Sequence, residues 1–384
     1  MELTQDQKMI QRMAREFVQK EVIPIAAEID QTCRFPWENI RKLAELGFLG
    51  IPFPEKYGGA GLDYLSYVLV IIELAKGCAS TAVTVATHTS NSAGPIYLFG
   101  TEEQKEKYLV PMAKGEKLGA VALTEPGAGS DLKGLSTRAA NEGDHFIING
   151  SKNFSTNGGV ADVVIATAIS KEEVQDRTPS SISEFIIEKG MEGFQIGKAE
   201  DKMGWRASDT RTLIFENLKI PKENLLGKEG FGFEQAVIGL DHGRVSIAAL
   251  SLGIAEAAYE AAKQYSSERK QFGEFINHFQ AIRFMLADMA TEIECGRHLV
   301  YEAARKKDKG EPFRKEASMA KLYCSELAMR VTTKAVQIFG GYGYIKDYPV
   351  ERYMRDAKVC EIGEGTSEIQ RIVIAKEIIE NNKK

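Results

Sequence analysis

Near the C-terminus the chain reads Glu361-Ile362-Gly363-Glu364-Gly365-Thr366-Ser367-Glu368-Ile369-Gln370. Glu364 stands between two glycines, which permit a tight turn and a close approach to a ligand. Thr366 and Ser367 suit a helix N-terminus, and Ser367 with Gln370 has capping-box spacing. The pattern predicts a carboxylate on a short lip ahead of a helix, where it could act as a general base. An acidic residue that only complements a helix dipole has the same local sequence. The helix lowers a nearby carboxyl pKa, so a useful base here needs burial acting in the opposite direction.

Four other segments carry chemistry. Thr124-Glu125-Pro126-Gly127-Ala128-Gly129-Ser130-Asp131 follows a predicted strand and offers backbone N–H groups and hydroxyls to a phosphate or the polar edge of a cofactor. A plain Pro-Gly turn is the alternative, and the Gly-Lys-Ser/Thr ending of a P-loop is missing. In Lys152-Asn153-Phe154-Ser155-Thr156-Asn157-Gly158-Gly159, Phe154 and Thr156 share a strand face. They form an aromatic wall beside a hydroxyl, suited to a flat heteroaromatic ring, or else Phe154 is one more core side chain. Glu268-Arg269-Lys270-Gln271-Phe272-Gly273 ends a helix with cations that complement its C-terminus or reach a diphosphate. Gln337-Ile338-Phe339-Gly340-Gly341-Tyr342-Gly343-Tyr344 ends another; a C-cap explains one glycine, and its neighbours allow close approach. Asp241 and Arg244 lie three apart on one helical face, where an ion pair is the simplest reading.

The remaining chemistry-bearing residues point elsewhere less clearly. Five cysteines (Cys33, Cys78, Cys295, Cys324, Cys360) include no Cys-x-x-Cys pair, so neither a disulfide framework nor a zinc site is expected. Cys360 lies four residues before Glu364 and is expected to be a packed thiol. The five histidines have no metal-site spacing, and no metal is expected. A net charge of -5 argues against a nucleic-acid partner. No uninterrupted apolar run has membrane-spanning length, and Met1 opens on polar, helical sequence without a signal region, giving a cytoplasmic, membrane-free expectation.

The elements that position these residues fall into three stretches. The 384 residues allow two or three domains. Residues 1–118 read as an α-helical domain: Thr4 with Gln7 and Thr101 with Gln104 have capping-box spacing, Pro36 suits a first turn, and Asp63 precedes an apolar run. Residues 119–230 carry short β-rich runs (120–123, 145–148, 162–165, 184–187, 212–215), with turns at Asn149-Gly150 and Asn157-Gly158, and suggest a small β-barrel. The segment from Lys171 to Ser183 is expected to be an exposed loop. Residues 231–384 return to helices near 242–269, 279–307, 313–339 and 367–381, the lengths of an antiparallel four-helix bundle, with an alanine-rich first helix. The fold class is α+β multidomain.

Taken in order, Thr-Glu-Pro-Gly-Ala-Gly-Ser-Asp, the Phe154-x-Thr156-Asn-Gly-Gly segment, Glu-Arg-x-x-Phe-Gly, Gln-x-x-Gly-Gly-x-Gly-Tyr and Arg355-Asp-Ala-Lys with Glu364-Gly-Thr resemble the acyl-CoA dehydrogenases over essentially the whole chain. Tyr57-Gly58-Gly59-Ala60-Gly61 and Pro221–Gly227 match as well. The resemblance implies FAD as cofactor and α,β-dehydrogenation of an acyl-CoA thioester, with hydride passing to flavin N5. It assigns the base to Glu364, and the thioester-oxygen donors to the Glu364 N–H and the flavin ribityl 2'-hydroxyl. The family's second base position corresponds to Gly243, which leaves Asp241 as the competitor to test.

By the same resemblance, Val121, Leu123, Thr124, Gly129, Ser130, Phe154, Ser155 and Thr156 meet the flavin. Arg269, Phe272, Gln280, Gln337, Gly340 and Gly341 reach the FAD of a neighbouring subunit, and Thr366 and Glu368 lie beside the pyrophosphate, Glu368 through its backbone. Ser130, Asp241, Arg244, Gly363 and Gly365 are substrate-side. The implied assembly is a homotetramer, a dimer of dimers, and the implied electron acceptor is an electron-transferring flavoprotein. Straight-chain members often carry Tyr where this chain has Gly363, so a short branched or alicyclic acyl group is expected. An enoyl-CoA reductase, an acyl-CoA oxidase and a non-enzymatic scaffold remain as alternatives on the same fold.

Overall fold

The computed structural model describes residues 2–171 and 179–380. The first unit holds helices α1 (Gln5–Phe17), α2 (Ile23–Thr32), α3 (Trp37–Glu45), α4 (Tyr64–Gly77), α5 (Ala79–Ala86), α6 (Gly94–Phe99), α7 (Glu102–Gln104) and α8 (Val110–Ala113). Their starts follow local chemistry. Thr4–Gln7 and Thr101–Gln104 close both halves of a capping box, and Asp63 accepts from the Ser66 N–H. Pro36 is the cap of α3 instead of part of its first turn. The α4 and α5 helices are buried on almost every side, so their sequence is apolar without a polar stripe.

The middle unit contains β1 (Gly119–Ala122), β2 (Arg138–Asn141), β3 (His145–Thr156), β4 (Val163–Ile169), β5 (Ile182–Glu188), β6 (Phe194–Ala199), β7 (Thr210–Pro221) and β8 (Leu225–Leu226). Hydrogen bonds order them β6-β7-β3-β2-β4-β5-β8, with β1 parallel to β4. Ala120, Phe146, Val164, Ala166, Phe185 and Phe215 meet in one interior that the strands wrap. The opposite face of β4 and β5 (Val163, Ile165, Ile186) packs with Tyr108, Leu109 and Met112 of the helical unit. Burial on both faces explains why β4 lacks polar alternation.

Several expectations need correction here. Asn149-Gly150 is not a hairpin turn: both residues lie inside β3, at a register shift. A Cβ on Gly150 (φ +147°) would stand 2.5 Å from Thr137 Oγ1, so glycine serves close strand approach there. Of the expected Lys171–Ser183 loop, residues 172–178 lie outside the described residues, while Ile182 and Ser183 are buried at the start of β5. The strands β2 and β6 carried no sequence signal, because their residues are mostly exposed and lack apolar alternation.

The last unit consists of α9 (Gly232–Glu268), the hairpin β9 (Lys270–Gln271) and β10 (Glu274–Phe275), then α10 (Gln280–Asp308), α11 (Arg314–Phe339), α12 (Val350–Lys358) and α13 (Ser367–Glu380). The short α12 was not expected. The α9 helix begins ten residues before its expected apolar stretch. By length and composition it could cross a membrane, but it is a core helix, mostly buried inside the protein. Ala248, Ala249, Ala255, Ala258 and Ala262 are fully buried, and a Cβ on Gly253 would stand 2.4 Å from Ile72 O, so α9 and α4 pack at close range.

Candidate active site

Three separate chain segments bring the site together. Glu364 sits in the turn between α12 and α13, with φ +56°, and Gly365 follows at φ +87°. A non-glycine residue in the left-handed region is uncommon and is held there by its surroundings. The Gln370 side-chain amide donates to Glu364 O (3.0 Å) and Gly365 O (2.9 Å), and Lys321 Nζ, fully buried on α11, donates to Gly365 O (2.6 Å). The Glu364 N–H has no acceptor among the described residues, while Gly363 N–H is tied to Val359 O (2.8 Å).

Gln370 therefore does not complete a capping box with Ser367. Ser367 is the first residue of α13, and Thr366 is its cap, with Oγ1 accepting from Ile369 N–H (3.3 Å). The backbone carbonyls of the turn have captured the glutamine. Glu368 is exposed in the first turn of α13, where its own backbone N–H holds its carboxyl below the ordinary value.

The Glu364 carboxylate points inward. Asn91 Nδ2 donates to Oε1 at 2.9 Å, and Oε2 is buried with no partner among the described residues. Burial pushes the pKa up, outweighing the Asn91 hydrogen bond and the charges of Arg244 and Lys321. The conflict between helix proximity and burial is thus resolved in favour of a base poised above the ordinary carboxylate range. A Cβ added at Gly243 would lie 2.5 Å from Oε2 and 2.9 Å from Asn91 Nδ2. The second base position is vacant of any side chain because Glu364 occupies the space.

Asp241 is no competitor. Arg244 Nη1 grips its Oδ1 (2.6 Å) and Arg314 Nε its Oδ2 (2.8 Å). Both oxygens are committed, and Arg244 is buried alongside with its Nε unpartnered. Cys360 is a buried thiol pushed up to about 12 by burial, as a packed cysteine should be.

The β side of the site is tied to this centre through the π-helical stretch Thr87–Ala93, which carries Asn91. Its His88 Nδ1 accepts from Gly119 N–H at the start of β1 (3.0 Å) and its Nε2 donates to Met112 O (3.1 Å). From β1 the chain runs through half-buried Val121 and Leu123 to Thr124, whose carbonyl accepts from Asn153 N–H (2.7 Å). That bond sets the Thr124 loop beside Phe154–Thr156. Phe154 is not a core side chain: it sits in a bulge at φ +56° and is 64% exposed, while Ser155 is buried with Oγ unpartnered and Thr156 is half-buried.

The loop itself is anchored from below. Lys152, fully buried, meets Glu125 at 2.7 Å, and Ser136 N–H (2.6 Å) and Thr137 N–H (3.1 Å) also donate to that carboxylate. Burial alone would raise Glu125, but these donors pull it well below the ordinary value. Gly129 and Ser130 are left exposed, and a Cβ on Gly127 or Gly129 would meet nothing within 4 Å, so the rim of the loop is open to a ligand.

The remaining candidates lie apart, where α9 and α11 end. Arg269 stacks its guanidinium over Tyr342 (5.4 Å) and, with Gly340 and Gly341, lines a cleft of about 460 Å³ that includes Tyr265, Gln271 and Phe339. Phe272, on the hairpin, is 96% exposed at φ +53°. Gln280 and Gln337 are exposed nearby. The open Thr124 rim and exposed Phe154 fit the ring of a dinucleotide, and the separate aromatic cleft, with its arginine and glycine edge, fits a diphosphate. The residues present therefore suit FAD.

Sequence reading missed Asn91, Lys321, Lys152 and Arg314. Asn91, Lys321 and Arg314 belong to no recognisable local motif, Lys152 opens the Phe154 segment but had no role assigned to it, and each acts on a residue at least 27 positions away. The unusual cost of a lysine inside apolar helical or strand sequence was the available signal for Lys321 and Lys152.

Comparison with known proteins agrees with this geometry. Residues 4–116, 120–218 and 230–379 match the N-terminal, middle and C-terminal domain models of acyl-CoA dehydrogenase. The chain is 55% identical over 378 residues to a short-chain specific acyl-CoA dehydrogenase of Clostridium acetobutylicum, covering 98% of each. It superimposes on butyryl-CoA dehydrogenase from Megasphaera elsdenii with a TM-score of 0.96 at 48% identity, covering 99% of both chains. It matches a chain in a structure of the electron transferring flavoprotein of Acidaminococcus fermentans with a TM-score of 0.97 at 52% identity, covering 98% of this chain and 99% of that one. The protein is thus a member of the acyl-CoA dehydrogenase family, FAD-dependent oxidoreductases acting on a CH–CH bond.

Proposed function

We propose that the chain dehydrogenates a short acyl-CoA thioester to the 2,3-enoyl-CoA, with Glu364 as the base. The observation that carries this reading is the Glu364 carboxylate itself, buried, raised in pKa and left with one oxygen unpartnered on a turn fixed from behind. The thioester α-carbon is a weak acid. Its deprotonation requires a base poised near working pH and donors for the charge that develops on the thioester oxygen. Glu364 takes the α-proton, and its free N–H donates to that oxygen. Ser130 and the Asp241–Arg244 face hold the CoA side. FAD, when bound, would supply the acceptor for the hydride that leaves the β-carbon. The Thr124 loop and Phe154–Thr156 orient its ring system.

A short chain is supported by the names of the relatives. A branch or small ring is supported by Gly363, where a Cβ would meet only Val359 O, at 3.5 Å, so the wall beside the turn is open. Transfer of electrons to an electron-transferring flavoprotein is supported by the Acidaminococcus match. A dimer of dimers is supported by Phe272, whose exposed ring and neighbouring cleft would be covered by a second copy.

The test is anaerobic titration of the purified holoprotein with butyryl-, isovaleryl-, cyclohexanecarbonyl- and octanoyl-CoA, with Glu364→Gln in parallel. Bleaching of the flavin by short thioesters, lost in the variant, is expected. Preference for butyryl-CoA over the branched and cyclic compounds removes the Gly363 argument. A flavin that stays oxidised with every saturated thioester but is reoxidised from its reduced form by an enoyl-CoA makes the chain a reductase. Rapid aerobic peroxide formation makes it an oxidase.

A further inference from the structure

We propose that Asn91 is a positioning residue for the base: it holds Glu364 Oε1 and leaves Oε2 as the oxygen that receives the α-proton. This rests on Glu364 being the base. Asn91 is contributed by the π-helical stretch Thr87–Ala93, whose wider turn sets its amide against the carboxylate at 2.9 Å. π-Helical turns inside α-helices recur at functional sites because they re-aim a side chain in this way. Asn91 is buried, and its amide N and Glu364 Oε2 share the space that Gly243 leaves empty.

Among the described residues no other group donates a hydrogen bond to the Glu364 carboxylate. On α9, Arg244 pairs through Nη1 with Asp241 (2.6 Å), and its unpartnered Nε makes no hydrogen bond to Glu364. On α11, Lys321 is engaged by Gly365 O (2.6 Å). On α4, the Tyr67 hydroxyl meets Ser246 (3.0 Å) and Ser90 (3.3 Å). In the turn before Glu364, Glu361 pairs with Lys358 (2.6 Å) and Cys360 is a buried neutral thiol. Gln370 is committed to the turn carbonyls. Among the described residues Asn91 is the one hydrogen-bond donor to the carboxylate, and so it sets the carboxylate's rotation about its terminal bond. As a donor to the ionised form it also opposes burial, so its loss moves the titration of Glu364 upward.

The experiment compares Asn91→Leu, of similar size without a donor, and Asn91→Ser, which keeps a shorter one. Three readouts are the pH dependence of flavin reduction by butyryl-CoA, binding of crotonyl-CoA, and an infrared carboxyl titration referenced to Glu364→Gln. In Asn91→Leu the acid limb moves to higher pH, and the rate at a fixed pH below it falls about tenfold for each pH unit the limb moves. The carboxyl band follows it, crotonyl-CoA affinity holds within about twofold of wild type, and Asn91→Ser lies between. An acid limb and carboxyl band unmoved in both variants, with FAD bound, overturns the proposal even if the rates drop. A Glu364→Gln protein that still reduces its flavin removes the underlying assignment instead, so the two failures are distinguishable. If Asn91→Leu does not fold, the band and limb of Asn91→Ser decide.

Discussion

At the scale of single residues, the site is defined as much by a missing side chain as by those present. Gly243 stands where a second carboxylate would otherwise fit, and the Glu364 side chain fills that volume. A methyl group there meets both Glu364 Oε2 and Asn91 Nδ2 at under 3 Å. Gly243→Ala is therefore expected to displace the base without disturbing the fold, since α9 gains helix propensity from the change. Displacement of a reacting group by a fraction of an ångström lowers the rate by roughly 10–100-fold. Stopped-flow flavin reduction with butyryl-CoA measures this; an unchanged rate would mean that the carboxylate works from another rotamer. Local sequence placed Glu364 on a turn between two glycines ahead of a helix, a pattern that a helix-dipole carboxylate shares, and the family resemblance supplied its role as base. Its partner Asn91 was not legible in sequence, because 273 positions separate the two.

At the scale of elements, the turn before α13 depends on α11. Two successive left-handed residues are costly, and the carbonyls they present inward need donors. Lys321 supplies one, although burial pulls its own pKa down to about 8. Lys321→Met removes a desolvated cation together with that donor. The first effect favours the fold and the second disfavours it, so thermal stability is expected to change little. Flavin reduction by butyryl-CoA is expected to fall about tenfold, because Gln370 alone holds the turn. A melting curve and a reduction rate from the same preparation separate the two effects. Lys321→Met with a normal rate would show that the turn needs no second clamp. The same logic governs the Thr124 loop, where the buried Lys152–Glu125 pair fixes a segment whose glycines would otherwise leave it loose.

At the scale of the whole molecule, the two helical units share one apolar core built from α1–α5 and α9–α12, while α6 and α8 pack with the sheet. The seam between β5 and α9 contains Glu184, buried, with the Gln235 amide donating to it at 3.3 Å, and burial pushes its carboxyl up to about 8. The folded value lies above the unfolded one, near 4.5. Its contribution is therefore fully present below about pH 4.5 and lost as pH rises towards 8. Glu184→Gln keeps the shape and removes the ionisation. It is expected to raise the melting temperature by a few degrees at pH 7.5 and to leave it unchanged at pH 4.5. Equal melting temperatures at both pH values would mean that Glu184 ionises in the fold without penalty.

The flavin reading of the loops came from the family resemblance, while local sequence was sufficient for the α–β–α order, two capping boxes and the carboxylate on its turn. Each of these follows from residues within a few positions of one another, where helix caps, glycine turns and strand alternation are decided. It took the folded chain to settle which groups touch the carboxylate, that Asp241 is spent on two arginines, that Asn149-Gly150 is a bulge, and that Phe154 faces outward. Those outcomes depend on burial and on partners far apart in the chain. Desolvation raised the Glu364 carboxyl against its helix, and packing of α9 against α11 and the Thr87–Ala93 stretch brought Asn91, Gly243 and Lys321 around it.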